Sequence, residues 1–433
     1  MLLSIEKLIY GGDGLARTPA AADGRSMAVF VPFVLPGERV EAEIVQEKPG
    51  FARGTVTQLI EPSPDRVTAA CPHFQACGGC HYQHIPYERQ LELKTSILRE
   101  TVQRIAKIDL PAHIQTHSSP PLHYRNRTRL QVQTAPDFAL GYYRFGSHEF
   151  FPIRECPISS PLINRVMSRM TELGGCDCPP AIEEIELFAD DADQRLLAWG
   201  FCGPDADEEI LLRWAEALRK ESPEIAGVTF FRSRRRSEDD APDDLKALAQ
   251  TGSQEILYRV EGTDYRVGAG AFFQVNRHLI GQLVETLSAH EARDLALDLY
   301  AGVGLFSAAL APSFHHIFAV EASLLSHAHL LHNIPANVKA VRARTEDYLR
   351  NRPARPRPDL VVVDPPRAGL GKVVTRSLAA LGAPRIHYVS CDPATLARDL
   401  APLLAAGYRM EEAHLFDLFP QTYHIESVVL LVR

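Results

Sequence analysis

The sequence predicts an α/β protein in three parts: a C-terminal parallel sheet, a small N-terminal β-barrel and a central, mostly β region. Two textures carry this reading. From residue 270 onward, apolar strands at Leu295–Leu299, Ile317–Val320, Leu360–Val363 and Ile386–Val389 alternate with helical stretches, the signature of a parallel sheet. Residues 1–61 instead alternate short apolar runs with turn signals such as Gly11-Gly12-Asp13-Gly14 and Pro36-Gly37, the spacing of a small barrel. Glu61-Pro62-Ser63-Pro64-Asp65 ends the barrel, because proline stops a strand. Residues 86–106 read as a helix with Leu91, Leu98, Val102 and Ile105 on one face and charged residues elsewhere. Residues 122–262 read as strands, with one helical stretch near Glu208 to Glu221 and a charged loop from Arg232 to Asp244.

A length of 433 residues fits two or three such domains, and 45% hydrophobic with 23% charged residues excludes wholesale disorder. No apolar run reaches the roughly 18 residues of a membrane span, and Glu6 and Lys7 interrupt what a signal peptide would need. A soluble, cytoplasmic protein is expected. Its net charge of −8 speaks weakly against a polyanion partner, since binding depends on where basic groups cluster. Eight cysteines without a secretion signal point to metal binding or catalysis rather than disulfides.

Gly302 and Gly304 follow the Leu295–Leu299 strand and precede a helix, where glycine lets backbone approach a ligand. Glu321 ends the next strand, the position from which an acid meets ribose hydroxyls in nucleotide-binding sheets. Ser307 replaces the third glycine of the dinucleotide fingerprint, so an adenosine without a pyrophosphate, as in S-adenosylmethionine, fits better than NAD. Asp364, before Pro365-Pro366-Arg367, stands at the carboxyl end of its strand, where ligands bind in open α/β sheets. Cys391 repeats that geometry one strand later, and a thiol beside a helix N-terminus would be an activated nucleophile. Glu426 opens the terminal strand and would serve as a general base if desolvated. Gln274 lies among aromatics just before the α/β region.

Cys71, Cys77 and Cys80 have the spacing C-x5-C-x2-C, which indicates a metal centre, zinc or iron–sulfur. Cys156, Cys176, Cys178, Cys202, His81 and His84 are available as fourth ligand; the Cys-Pro pairs at Cys71 and Cys156 favour Cys156. Arg125, Arg127 and Arg129 alternate with period two and so share one strand face, without an acidic partner in sequence. With Tyr142, Tyr143 and Phe145 nearby, they combine phosphate contacts with stacking platforms for RNA.

Phe273-Gln274-Val275-Asn276, Asp298 to Gly304, Asp364-Pro365-Pro366-Arg367, Ser390-Cys391-Asp392-Pro393 and His424-Ile425-Glu426-Ser427, in that order, resemble the RNA uridine C5-methyltransferases nearly end to end. The resemblance implies a Rossmann-like S-adenosylmethionine methyltransferase domain at 89–121 and 263–433. It implies an OB-like, RNA-binding TRAM barrel at 1–61 and a central iron–sulfur and RNA-binding domain at 62–88 and 122–262. It also implies a [4Fe-4S] cluster on Cys71, Cys77, Cys80 and Cys156, and cofactor contacts from Gln274, Tyr300, Glu321 and Asp364. Cys391 would be the nucleophile and Glu426 the base, acting as a monomer on a uridine of RNA, with 23S ribosomal RNA favoured over transfer RNA. Leu305 departs from relatives that place an asparagine beside the cofactor. A non-enzymatic iron–sulfur or zinc RNA-binding protein on the same fold is the alternative, and cytosine methylation is disfavoured by the Ser390-Cys391-Asp392 context.

Overall fold

The computed structural model describes residues 1–433 except 20–25, 175–177, 233–245, 289–292 and 354. Cys176 and nearly all of the charged loop after Arg232 thus lie outside the described residues.

Leu2–Leu8, Asp13–Arg17, Ala28–Pro32, Arg39–Lys48 and Phe51–Glu61 close into a barrel. Alternation builds it: Leu3, Ile5, Val29, Val31, Val40 and Ala42 point inward, and Ser4, Phe30 and Glu41 between them are more exposed. Gly14 is required at one crossing, because a Cβ there would lie 2.3 Å from a methyl of Val34.

The central region is a seven-stranded sheet. Its order is Ala247–Gly252, Ile225–Arg232, Leu196–Cys202, Ile182–Ala189, Arg127–Gln133, Ala139–Tyr143, Phe150–Pro152. The helix Glu208–Glu221 stands where expected, capped by Asp207, whose carboxylate accepts from the Glu209 and Ile210 amides. A second helix, Pro161–Leu173, was not expected, although Ser160 as cap and Pro161 in the first turn are its ordinary start signals.

The third sheet has eight strands. Their order is Val338–Arg342, Phe314–Glu321, Arg293–Leu299, Leu360–Val363, Arg385–Ser390, Glu426–Val432, Arg409–Phe416, Gln115–His117. The first five run parallel, and the Glu426–Val432 strand returns antiparallel beside Arg385–Ser390. The carboxyl ends of the parallel strands therefore meet the start of the terminal strand at one edge.

The helix Tyr87–Ala106 packs on this sheet's layer, against the helix Pro393–Ala405, and Gln115–His117 extends the sheet's far edge. Its buried face corrects the expected one. Leu98 and Val102 are buried with Leu93 and Ile97, but Leu91 is half-buried and Ile105 is 42% exposed. Gln90, Lys94 and Thr101 occupy the same buried face. No helix among the described residues is long and apolar enough to cross a membrane.

Candidate active site

After the Arg293–Leu299 strand the backbone turns through left-handed conformations at Tyr300, Gly302 and Gly304, with φ of 69°, 56° and 94°. Gly304 has a second reason to be glycine, since a Cβ would stand 2.8 Å from Leu330. Glu321, at the end of the neighbouring strand, accepts from the Gly302 amide at 2.8 Å and the Ser323 amide at 2.6 Å. The acid and the glycine turn are thus brought together. Asp298 is fully buried; its Oδ2 accepts from the Ser307 hydroxyl at 2.5 Å, and burial pushes its carboxyl up to about 6. Ser307, at the place of the third glycine, therefore holds an acid rather than leaving the helix and strand to pack without a side chain. Leu305 is buried among apolar side chains, and its carbonyl accepts from the Tyr265 hydroxyl at 3.2 Å.

Asp364 follows the next strand. Gln274 reaches it from the preceding loop, Nε2 donating to Oδ2 at 3.3 Å. Enclosure and the nearby Asp298 charge push the Asp364 carboxyl up to about 7. Burial likewise raises the Tyr300 phenol, to about 12. Gln274, Glu321, Tyr300, Asp298 and Asp364 thus stand around one strand-end region carrying several acids.

Strands Arg385–Ser390 and Glu426–Val432 pair down to Ser390 opposite Ser427. One residue further on, Cys391 and Glu426 face each other at the mouth of the ladder. Glu426 is only 6% exposed; burial, then Asp364, hold its carboxyl well above the usual range, and Arg367 opposes them. Cys391 corrects the expectation of a depressed thiol. Burial first, then the charges of Glu426 and Asp364, push it up to about 12, with Arg367 opposing. The helix N-terminus beside it is already taken, because Asp392 caps it by accepting from the Ala394 and Thr395 amides.

Long-range hydrogen bonds fix the loop that delivers Glu426. Gln421 holds a left-handed backbone, φ 67°. Its amide donates to Gln90 Oε1 at 3.0 Å, and its carbonyl accepts from the His81 and Tyr82 amides at 2.8 and 2.9 Å. Asn276 Nδ2 contacts the Asp417 and Leu418 carbonyls, and Lys94 pairs with Asp417 at 2.6 Å, both fully buried.

Cys71, Cys77, Cys80 and Cys156 line one cavity of about 330 Å³, shared with Arg125, Tyr423 and His424. Burial and the neighbouring sulfurs push the Cys77 thiol up to about 11 and Cys80 to about 12. The Gly79 amide donates to Cys77 Sγ at 3.4 Å. His81 also lines the cavity, whereas Cys178 and Cys202 pack into the core of the central region and His84 is turned to the Val34 carbonyl. Among the described residues, no group of three or more His, Cys, Asp or Glu side chains is placed to hold a metal ion.

The arginine row does have acidic partners. Arg127 pairs with Glu186 and Arg129 with Glu184, each at 2.5 Å, across the strand Ile182–Ala189. Arg127 also lies over the Trp199 ring and Arg129 over Phe201, at 4.8 and 4.6 Å from the centroids. These arginines, Arg125 and the exposed Phe272 line a second cavity of about 300 Å³. Arg367 was missed as a site residue; its place after Asp364-Pro365-Pro366 was the available signal. Gln90 and Gln421 carried none, since their partners lie 331 residues apart.

A family model described as tRNA (Uracil-5-)-methyltransferase matches residues 242–351 and 356–433, and a TRAM domain model matches 1–57. A protein of Aquifex aeolicus, described as an uncharacterized RNA methyltransferase, is 33% identical over 99% of this chain and 97% of its own. The 23S rRNA (uracil(1939)-C(5))-methyltransferase of Chromohalobacter salexigens is 33% identical over 100% of this chain and 89% of its own. The crystal structure of the Pyrococcus abyssi tRNA (uracil-54, C5)-methyltransferase with S-adenosyl-L-homocysteine shares the fold, with a TM-score of 0.74, 24% identity and full coverage of both chains. Likeness at this identity across nearly the whole length, with the TRAM barrel and the catalytic sheet both matched, means that the chain belongs to the RNA uracil-5-methyltransferase family and is an S-adenosylmethionine-dependent RNA (uracil-C5)-methyltransferase.

Proposed function

We propose that the enzyme converts a uridine of 23S ribosomal RNA to 5-methyluridine, with Cys391 as nucleophile and Glu426 as proton acceptor. The observation that carries this is the thiol facing a buried carboxyl across the Ser390–Ser427 pair, at the edge where Asp298 and Asp364 stand. S-adenosylmethionine, when bound, supplies a methyl group on a cationic sulfonium. An enclosed site with three raised carboxyls suits a cation, and Gln274, Tyr300, Glu321 and Asp364 are the residues that would hold it. C5 of uracil is a poor nucleophile. The Cys391 thiol loses its proton to solvent as its sulfur bonds to C6, and the C5–C6 π electrons become an enolate whose C5 can take the methyl group. Glu426 then removes the C5 proton, and the sulfur–C6 bond breaks to restore the ring. A carboxyl raised by burial is a stronger base for that step. The target base must leave its stack to reach this pocket.

Four thiols around one cavity, with a backbone amide aimed at one sulfur, are compatible with the iron–sulfur cluster that the family resemblance implies. Cys71, Cys77, Cys80 and Cys156 would hold it. Anaerobically purified protein is expected to carry about four irons per chain. Cys156→Ser should lose them and Cys176→Ser should keep them, and stoichiometric zinc without iron would overturn the assignment. Arg125, Arg127 and Arg129 would contact the RNA backbone, and the central region would span 62–88 and 122–262, between the barrel at 1–61 and the catalytic parts at 89–121 and 263–433.

The relative named as a 23S rRNA enzyme favours ribosomal RNA, and the shared fold of a structure named as a tRNA enzyme supports transfer RNA as second reading. Mapping 5-methyluridine in a deletion strain separates them: loss from 23S RNA supports the first, and loss from transfer RNA alone overturns it. For the mechanism, Glu426→Gln should accumulate a covalent enzyme–RNA adduct that survives a denaturing gel, and Cys391→Ala should form none. Normal turnover by Glu426→Gln would remove Glu426 from its role.

A further inference from the structure

The N-terminal barrel does not stand apart from the chemistry. Its loop Ile9 to Asp13 is laid against the catalytic sheet, with Leu8 and Leu35 buried in one cluster with Leu396 and Ile425. Lys7 pairs with Glu100 of the long helix at 2.5 Å, and a Cβ on Gly12 would come within 3.2 Å of the His81 ring. Glycine at that position therefore allows the close approach. At the tip of this contact, the Tyr10 hydroxyl donates to the Cys391 carbonyl at 3.4 Å and lies near the Asp392 charge. The Tyr10 ring meets Tyr423 edge-on, with centroids 5.7 Å apart. Tyr423 in turn packs on His81 at 4.6 Å and on His424 at 4.4 Å.

We infer that Tyr10 is a positioning residue for the nucleophile, so that the barrel completes the active site as well as any RNA surface it offers. This rests on Cys391 being the nucleophile. The Tyr10 hydroxyl holds the carbonyl of Cys391, and the next residue, Asp392, caps the Pro393–Ala405 helix. The ring braces the base loop at Tyr423, three residues before Glu426. Thus one side chain, more than 380 positions away in sequence, touches both loops whose separation sets the thiol-to-base geometry. Misplacing a reacting atom by a fraction of an ångström slows a step without weakening substrate binding. Burial and the Asp392 charge keep the phenol protonated, so it acts only as a donor here.

Tyr10→Phe in the full chain removes the donor and keeps the ring. The assay is adduct formation with RNA carrying 5-fluorouridine at the target, read on a denaturing gel. Fluorine leaves no C5 proton to remove, so the rate reports sulfur addition and methyl transfer alone. At saturating RNA and cofactor, Tyr10→Phe should slow adduct formation about five- to tenfold, the worth of one hydrogen bond. The RNA concentration for half-maximal rate and S-adenosyl-L-homocysteine binding should stay unchanged. Tyr10→Ala should be slower again, and Tyr10→Phe should melt as the unaltered protein does. An unslowed Tyr10→Phe overturns the inference, and so does a defect cured entirely by more RNA, which would make Tyr10 an RNA contact. Absence of adduct from the unaltered chain overturns the addition mechanism itself, and this inference with it.

Discussion

At the scale of single residues, the catalytic groups are set by mutual electrostatics as much as by position. Cys391, expected to be activated by a helix N-terminus, is instead raised by burial and by Glu426 and Asp364, because Asp392 has taken the helix amides. The sign of each neighbour's effect gives a test. Glu426 raises the thiol, so Glu426→Gln should move the pH profile of Cys391 alkylation to lower pH. Arg367 lowers it, so Arg367→Gln should move the same profile to higher pH. Iodoacetamide labelling of the Cys391 peptide, followed by mass spectrometry across alkaline pH, measures both shifts. Profiles that coincide with that of the unaltered protein would mean the two charges do not act on the thiol. The sequence made Cys391, Asp364 and Glu426 legible because each stands at a strand end in a recognisable run. It hid the burial of Glu426 and the role of Ser307, which depend on what the neighbouring strands bring. Asp298 is legible as the start of the motif running to Gly304, and only the fold gives it Ser307 as partner.

At the scale of elements, strands buried on both faces were readable from apolar content alone, as at Leu360–Val363, where all four side chains are buried. The edge strand Val338–Arg342 was not, because its side chains are mostly half-exposed and mixed in polarity. The helix Tyr87–Ala106 is the instructive case. Its limits were legible, yet its buried face was misjudged, since a lysine belongs in a core only when a partner awaits it. Lys94 has that partner in Asp417, 323 positions away, where no local pattern can supply it. Both side chains are fully buried, so removing one strands the other's charge. Lys94→Met should therefore cost about 3–5 kcal/mol of stability, measured as a lower urea midpoint at unchanged slope. Lys94→Met with Asp417→Leu should recover much of the loss, because no unpaired charge remains buried. A single substitution costing less than about 1 kcal/mol would mean that water or another group already satisfies Asp417. The same pair fastens the loop that leads to Glu426, so the helix joins stability to the site.

At the scale of the whole molecule, a chain of net charge −8 must bind a polyanion through a local surface rather than through its overall field. The row of Arg125, Arg127 and Arg129 was expected to offer three unpaired cations. The glutamates on the adjacent strand change the arithmetic. Arg127 and Arg129 are each paired, and the side chain of Arg127 is only 11% exposed against 31% for Arg129. Each phosphate neutralised by a free cation adds roughly 0.7–0.9 to the slope of log affinity against log salt. An arginine already neutralised by a glutamate releases fewer counterions, so replacing all three arginines by alanine should flatten the slope by less than the two to three expected of three free cations. The complementary variant is more telling. Glu184→Gln with Glu186→Gln leaves Arg127 and Arg129 in place on their aromatic rings but frees their charges, so RNA binding should tighten and its salt dependence should steepen. Fluorescence anisotropy with a labelled RNA fragment, over a range of potassium chloride concentrations, gives both slopes. If neither variant alters the slope while both remain folded, the arginine row serves the central sheet alone, and the basic surface that meets RNA lies elsewhere on the molecule.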